Sequence, residues 1–204
     1  EDPRDTLLGA VSIAALPQAA RIGTASMRRS AQLLATRPDL VITLMRGNVG
    51  TRLEKLAAGE VDATLLAVAG LKRLGRAGAI GTILEPAEFL PAVAQGAVGI
   101  ERRTADAHIA ALLAPLNDGP TALCVATERA MLATLDGTCR TPIGGLALLD
   151  GGRITLDGML VWPDGSGLQR LQQTGDSGDP VALGREVGQE LRRRAGPKFF
   201  EDLA

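Results

Sequence analysis

Hydrophobic positions from about residue 20 onward follow two alternating periods. The runs "RIGTAS", "DLVITLMR" and "EVDATLLAV" are dense in aliphatic and β-branched residues, as buried strands are. Between and after them, apolar residues recur three and four apart. "MRRSAQLLATRP" predicts a helix capped by Ser26, "NVGTRLEKLAAG" a helix stopped by Gly59, and "AGLKRLGR" a short basic helix. Strands alternating with such helices predict βαβ units and a parallel sheet covered on both faces. Upstream, "EDPRDTLLGA" reads as an acidic turn leading into a strand.

Prolines at 86 and 91 end this regime, so "EPAEFLPAVAQGAVGIERR" reads as a linker and crossover. Two helices are expected next: "TADAHIAALLAPLND", with Thr104 as cap, and "GPTALCVATERAMLATLDG", with Pro120 in its first turn and Gly137 at its end. The last third changes grammar. Three strand-like runs are separated by Asp-Gly-Gly and Pro-Asp-Gly-Ser-Gly, which predicts an antiparallel meander, and "DPVALGREVGQELRRRAG" an amphipathic helix over one of its faces. The expected fold is an α/β domain with a parallel or mixed sheet, then a small α+β domain with a three-stranded antiparallel sheet and covering helices.

Composition narrows the function classes. Of 204 residues 46% are hydrophobic but only 2% aromatic, so the cores must be aliphatic, and stacking platforms for single-stranded nucleic acid are missing. The net charge of −1 is uneven: residues 21–76 hold ten Lys/Arg against four Asp/Glu. That favours a local anion site over a general affinity for polyanions. No apolar run approaches 18 residues and no basic-then-apolar leader is visible, so a cytoplasmic protein with no membrane and no nucleic-acid partner is expected. Cys124 and Cys139 are then expected to be free thiols.

The stretch "LMRGNVGTRLEKL" carries the most chemistry. A strand ending in Arg46, a Gly-Asn-Val-Gly turn and a helix starting near Thr51 place free N–H groups and a positive helix end at the edge where α/β sheets bind ligands. Arg46 and Arg52 add forked donors suited to carboxylate or phosphate. Arg28 and Arg29 follow the first strand of the series and Lys72 and Arg73 the third, so all three basic groups should converge on that edge. Cations at a helix N-terminus oppose the dipole, and a multivalent anion would explain Arg28 and Arg29. Neither a Walker loop nor a dinucleotide fingerprint occurs. Cys139 lies in "LDGTCRTPIGG" beside Arg140, a setting that raises thiolate character; Cys124 and His108 read as structural, and metal-ligand spacing is absent.

Together "GTASMRRSAQL", "LMRGNVGTRLEKLAAGEVDATLLAVAGLKRLG", "LPAVAQGAVGIE", "ATERAML" and "LDGTCRTPIGG" resemble the porphobilinogen deaminase (hydroxymethylbilane synthase) family, in the right order and nearly end to end. The resemblance implies a transferase of porphyrin and haem biosynthesis. It would join four porphobilinogen units, releasing ammonia at each step, into linear hydroxymethylbilane on a covalent dipyrromethane primer. It further implies a thioether from Cys139 to that cofactor, and carboxylate binding by Arg28, Arg29, Arg46, Arg52 and Arg73. Its partners would be porphobilinogen and the growing polypyrrole. The fold it implies is periplasmic-binding-protein-like, followed by an α+β cofactor-attachment domain.

On that comparison residues 1–90 are expected to be the second α/β domain, 91–118 a linker and a returning segment of the first, and 119–204 the C-terminal domain. Most of the N-terminal domain is then expected to be missing. The family's catalytic aspartate, in a His-Ser-X-Lys-Asp run, does not occur in this sequence. The chain is accordingly expected to be inactive alone and prone to self-association, where the complete enzyme would be a monomer. The alternative reading is a binding module that holds a small dicarboxylate without chemistry.

Overall fold

The computed structural model describes residues 1–138 and 141–201. Five short strands form the first sheet: β1 (Asp5–Leu8), β2 (Arg21–Gly23), β3 (Val41–Thr43), β4 (Ala63–Ala67) and β5 (Thr82–Ile83), in the order β3-β2-β4-β1-β5. β2 pairs in parallel with both β3 and β4, as the βαβ pattern requires. The sheet is nevertheless mixed, because β1 runs antiparallel to β4 and to β5. Period alone could not set that direction, since a fully buried strand looks the same in either orientation.

Three helices cover the sheet: α1 (Met27–Thr36), α2 (Val49–Ala57) and α3 (Val68–Arg73). Successive side chains on a strand point to opposite faces, and the two apolar layers divide accordingly. Leu7, Ile22 and Leu65 join Leu33 of α1 and Phe89 on one face. Leu8 and Leu66 meet Leu71 of α3 and Leu53 and Leu56 of α2 on the other. Ser26 caps α1, its Oγ accepting from Arg29 N–H at 3.4 Å, and Gly59 follows α2 at φ +72°. Both ends lie where the sequence placed them.

Residues 84–106 contain no helix or regular strand. The backbone N–H and carbonyl of Leu90 are both taken by the amide of Gln32 on α1, at 2.8 and 3.0 Å, which fastens the linker to the sheet domain. α4 (Ala107–Leu113) begins later than expected: Asp106, not Thr104, caps it by accepting from Ile109 N–H.

The C-terminal part is built as its text predicts. α5 (Gly119–Thr134) precedes an antiparallel sheet of β6 (Ile143–Asp150), β7 (Arg153–Leu160) and β8 (Gln169–Asp176) in that order, and α6 (Pro180–Ala195) and α7 (Pro197–Glu201) follow. The two-residue turn Gly151-Gly152 has positive φ at both positions, as a tight hairpin of this twist requires. α5 and α6 pack in direct contact because α6 offers glycines: a Cβ at Gly184 would lie 2.2 Å from the Thr127 carbonyl oxygen. α5 ends before Gly137. Asp136 takes the left-handed conformation at φ +51°, while Gly137 N–H returns to the Leu132 carbonyl at 2.9 Å.

The two parts share an apolar seam of Ala31 on α1, Leu90 in the linker, and Met159 and Val161 at the end of β7. Arg170 on β8 forks onto Asp157 at 2.6 and 2.9 Å and donates to the carbonyls of Pro86 and Ala87. Among the described residues no single helix is long and apolar enough to cross a membrane; α4 and α5 together are long enough but lie at 109° to one another.

Candidate functional site

Parallel pairing sends the C-terminal ends of β2, β3 and β4 to one sheet edge, and the loops there lead into α1, α2 and α3. The reversed direction of β1 brings its first residue, Asp5, to the same edge, opposite Ala67. Asp5 is wholly buried, and each of its oxygens receives a guanidinium. Arg28 donates to Oδ2 and Arg29 to Oδ1, both at 2.7 Å. Arg28 also donates to the Leu90 carbonyl at 2.7 Å, and Arg29 to the Leu65 carbonyl at 3.0 Å. Gln95, from the linker, adds a bond to Asp5 Oδ1 at 3.0 Å and another to the Pro3 carbonyl.

Burial alone would raise the Asp5 carboxyl, but Arg29 and Arg28 outweigh it and hold the group below its ordinary value. Burial pulls Arg28 down, helped by the like charge of Arg29 and opposed by Asp5. The Nε atoms of Arg28 and Arg29 are buried without an acceptor. Arg28 and Arg29 therefore form an inner layer. Their cationic heads at the start of α1 are explained in the first instance by an internal carboxylate, the residue the sequence reading overlooked. Its signal was an aspartate opening the strand-like run "DTLL".

The remaining arginines are more exposed and form the outer group. Arg46 follows β3 and is exposed, and Gly47 turns the chain at φ +121°, where a Cβ would press on Thr51. Asn48 caps α2, its Oδ1 accepting from Thr51 N–H at 2.9 Å, so the helix begins at Val49, two residues before the expected start. Arg52 is half-buried and donates its Nε–H to the Gly47 carbonyl; burial and then the neighbouring charge of Arg29 lower its ordinary value, which places the two layers in one field. Arg73, at the end of α3, is exposed; like Arg46 it has no hydrogen-bond or ion-pair partner among the described residues. Lys72 differs, lying 3.7 Å from Asp2, whose carboxyl is lowered to about 2, chiefly by a hydrogen bond from Arg4.

Cys139, with Arg140, lies outside the described residues. Cys124 sits half-buried against the C-terminal core, its thiol pushed up by burial, and His108 is exposed on α4.

A sheet edge with the buried pair Arg28 and Arg29 and with the exposed Arg46 in one of its loops, on a mixed-sheet domain followed by a three-stranded meander, is the setting in which the comparisons with known proteins fall. The family model described as the porphobilinogen deaminase dipyromethane cofactor binding domain matches residues 1–111. The model of the C-terminal domain of porphobilinogen deaminase matches residues 122–193. The chain belongs to the porphobilinogen deaminase family.

It is 49% identical over 202 residues to the porphobilinogen deaminase of Nitrobacter hamburgensis and 50% identical over 203 residues to that of Paracoccus denitrificans. The porphobilinogen deaminase of Nitrobacter winogradskyi is 48% identical over 202 residues. Each alignment covers 98% of this chain; the chain spans 64% of the length of the two Nitrobacter proteins and 65% of the Paracoccus one. These matches correct one expectation. The chain was expected to lack most of the N-terminal region, yet the cofactor-binding family model covers residues 1–111, and the C-terminal model follows it. Both kinds of family domain are represented in the chain.

Proposed function

We propose that this chain serves the porphobilinogen deaminase reaction, in which four porphobilinogen units are joined head to tail, each with loss of ammonia, into the linear tetrapyrrole hydroxymethylbilane. Family membership supports the reaction class, and one observation supports the ligand chemistry. Arg46 is exposed, without a partner among the described residues, in the loop at the strand edge that leads into α2, whose Arg52 feels the charge of Arg29, and Arg73 is exposed at the end of α3. Every pyrrole unit carries two carboxylate arms, and guanidinium forks match carboxylates in geometry as well as in charge.

The residues at this edge suit a polycarboxylate cofactor. Arg28, Arg29, Arg46, Arg52 and Arg73 would hold the carboxylates of a dipyrromethane, and Cys139 would carry the thioether. When bound, the cofactor supplies the nucleophilic pyrrole carbon on which the chain is extended. In attachment the Cys139 Sγ forms a C–S bond at the aminomethyl carbon of a porphobilinogen unit, the C–N bond breaks, and ammonia departs with the thiol proton. Arg140, the next residue in sequence, would favour the thiolate that this step needs. The division of labour that we infer sets residues 1–90 as the carboxylate-binding domain, 91–118 as the connection and 119–204 as the cofactor-attachment domain, in a cytoplasmic protein.

Incubation of the purified chain with porphobilinogen, followed by intact mass and a peptide map, tests this reading. Addition of two porphobilinogen units less two ammonias on Cys139 is expected; C139S should gain no mass. A chain that binds porphobilinogen but leaves Cys139 unmodified would instead be a dicarboxylate-binding module.

A further inference from the structure

The geometry points to Asp5 as the positioning residue that sets the arginine pair for carboxylate binding. This rests on the reading that the strand edge receives the carboxylate arms of porphobilinogen. Three observations converge on Asp5. It is wholly buried, its two oxygens are divided between two different guanidiniums at equal distances of 2.7 Å, and a third donor, Gln95, fixes one of those oxygens at 3.0 Å.

The arrangement does two separable things. It cancels one of two adjacent positive charges, since Arg29 already disfavours the charged form of Arg28. It also dictates which N–H groups stay available: one terminal nitrogen of each arginine is turned inward to Asp5 and the other to a backbone carbonyl, Leu90 for Arg28 and Leu65 for Arg29. Each nitrogen carries two hydrogens; the Arg28 nitrogen on Asp5 also reaches Gln95 Oε1 at a long 3.5 Å, the remaining second hydrogens are set in a fixed direction, and Arg52 lies close enough to feel the charge of Arg29. A pair held in this way meets an incoming carboxylate without first losing rotamer freedom, which is how preorganisation raises affinity.

The two functions predict opposite signs, and that makes the inference testable. If Asp5 were only a counter-charge, D5N would raise local positive charge and tighten anion binding. If Asp5 positions the pair, D5N weakens it despite the added charge, by about tenfold, the size expected when charge-assisted hydrogen bonds lose their geometry. The measurement is porphobilinogen binding by calorimetry to the full chain carrying C139S, which prevents covalent uptake, with D5N and D5E compared; D5E keeps the charge and should bind more tightly than D5N. Tighter binding by D5N, or equal binding by D5N and D5E, overturns the proposal.

Arginine Nε–H spectra of the unsubstituted protein need no variant to fold. Two sharp, slowly exchanging signals from Arg28 and Arg29 are expected, and their absence also overturns the proposal. If the C139S chain with Asp5 intact binds no porphobilinogen, the functional reading fails, while the Nε–H signals still decide whether Asp5 orders the pair.

Discussion

Arg46 and Arg28 carry the same side chain in opposite surroundings, and substitution should separate them. Arg46 is exposed with no hydrogen bond or ion pair among the described residues, so R46Q should leave stability unchanged within about 0.5 kcal/mol while weakening porphobilinogen binding. Arg28 is 5% exposed and joins Asp5, the Leu90 carbonyl and Gln95, so R28Q should lower stability as well, by about 3 kcal/mol or more, since it leaves part of the Asp5 charge uncompensated. Denaturant unfolding beside calorimetry checks both. The sequence made the five arginines visible as a group because they follow strands at regular spacing. It could not sort them into inner and outer layers, because the sorting depends on Asp5, which reaches the edge through the reversed direction of β1.

Glu128 supplies a second residue-scale prediction. It is 4% exposed on α5 and accepts N–H groups from Ala94 at 2.6 Å and Ala147 at 2.8 Å, linking the connection to β6. Burial raises its carboxyl above the ordinary value, although the two N–H groups oppose this. The folded state therefore holds the proton more tightly than the unfolded chain. The resulting stabilisation is complete below about pH 4.3 and is lost as pH rises through the folded value. Asp5, held low, behaves in the opposite sense: its contribution is present above about pH 4 and disappears as pH falls through its folded value. Urea midpoints measured from pH 4 to 8 should show a smaller decline with rising pH in E128Q than in the unsubstituted protein.

At the scale of elements, capping and close packing decide what the local text can reveal. Ser26 and Gly59 mark their helix ends because each acts through its own backbone neighbourhood. S26A should cost about 1 kcal/mol, read as a lower thermal midpoint. Gly137 misleads because the left-handed residue that ends α5 is Asp136, an uncommon choice that composition does not flag. Gly184 is equally silent in sequence, a glycine inside a helix with no visible reason. Its reason is the neighbouring α5, and G184A should destabilise the C-terminal part by about 1–3 kcal/mol through overpacking.

Across the whole molecule, the α/β and α+β parts are each legible from their hydrophobic period, but the seam between them is not. Ala31, Leu90, Met159 and Val161 belong to segments far apart in sequence, and each looks like an ordinary core residue in its own segment. Arg170 adds a polar clamp across the same boundary, to carbonyls of a linker that has no regular structure to hold it in place. R170M should raise amide exchange in residues 84–92 more than in the β6–β7 hairpin.

The reversed strand β1 also bears on how the chain can be made. Its partners are Ala63–Ala67 and Thr82–Ile83, so no ladder bond of β1 can close while the ribosome is still translating the residues before β4. The β2–β3 pair, by contrast, needs only the chain up to Thr43. Four residues destined for an interior strand of the sheet must wait unpaired during synthesis, and late, long-range closure of this kind slows folding and exposes a nascent chain to wrong partners. Asp5, at the head of that segment, then reaches its two arginines only once β1 has joined β4, so the arginine pair is set well after α1 itself has been made.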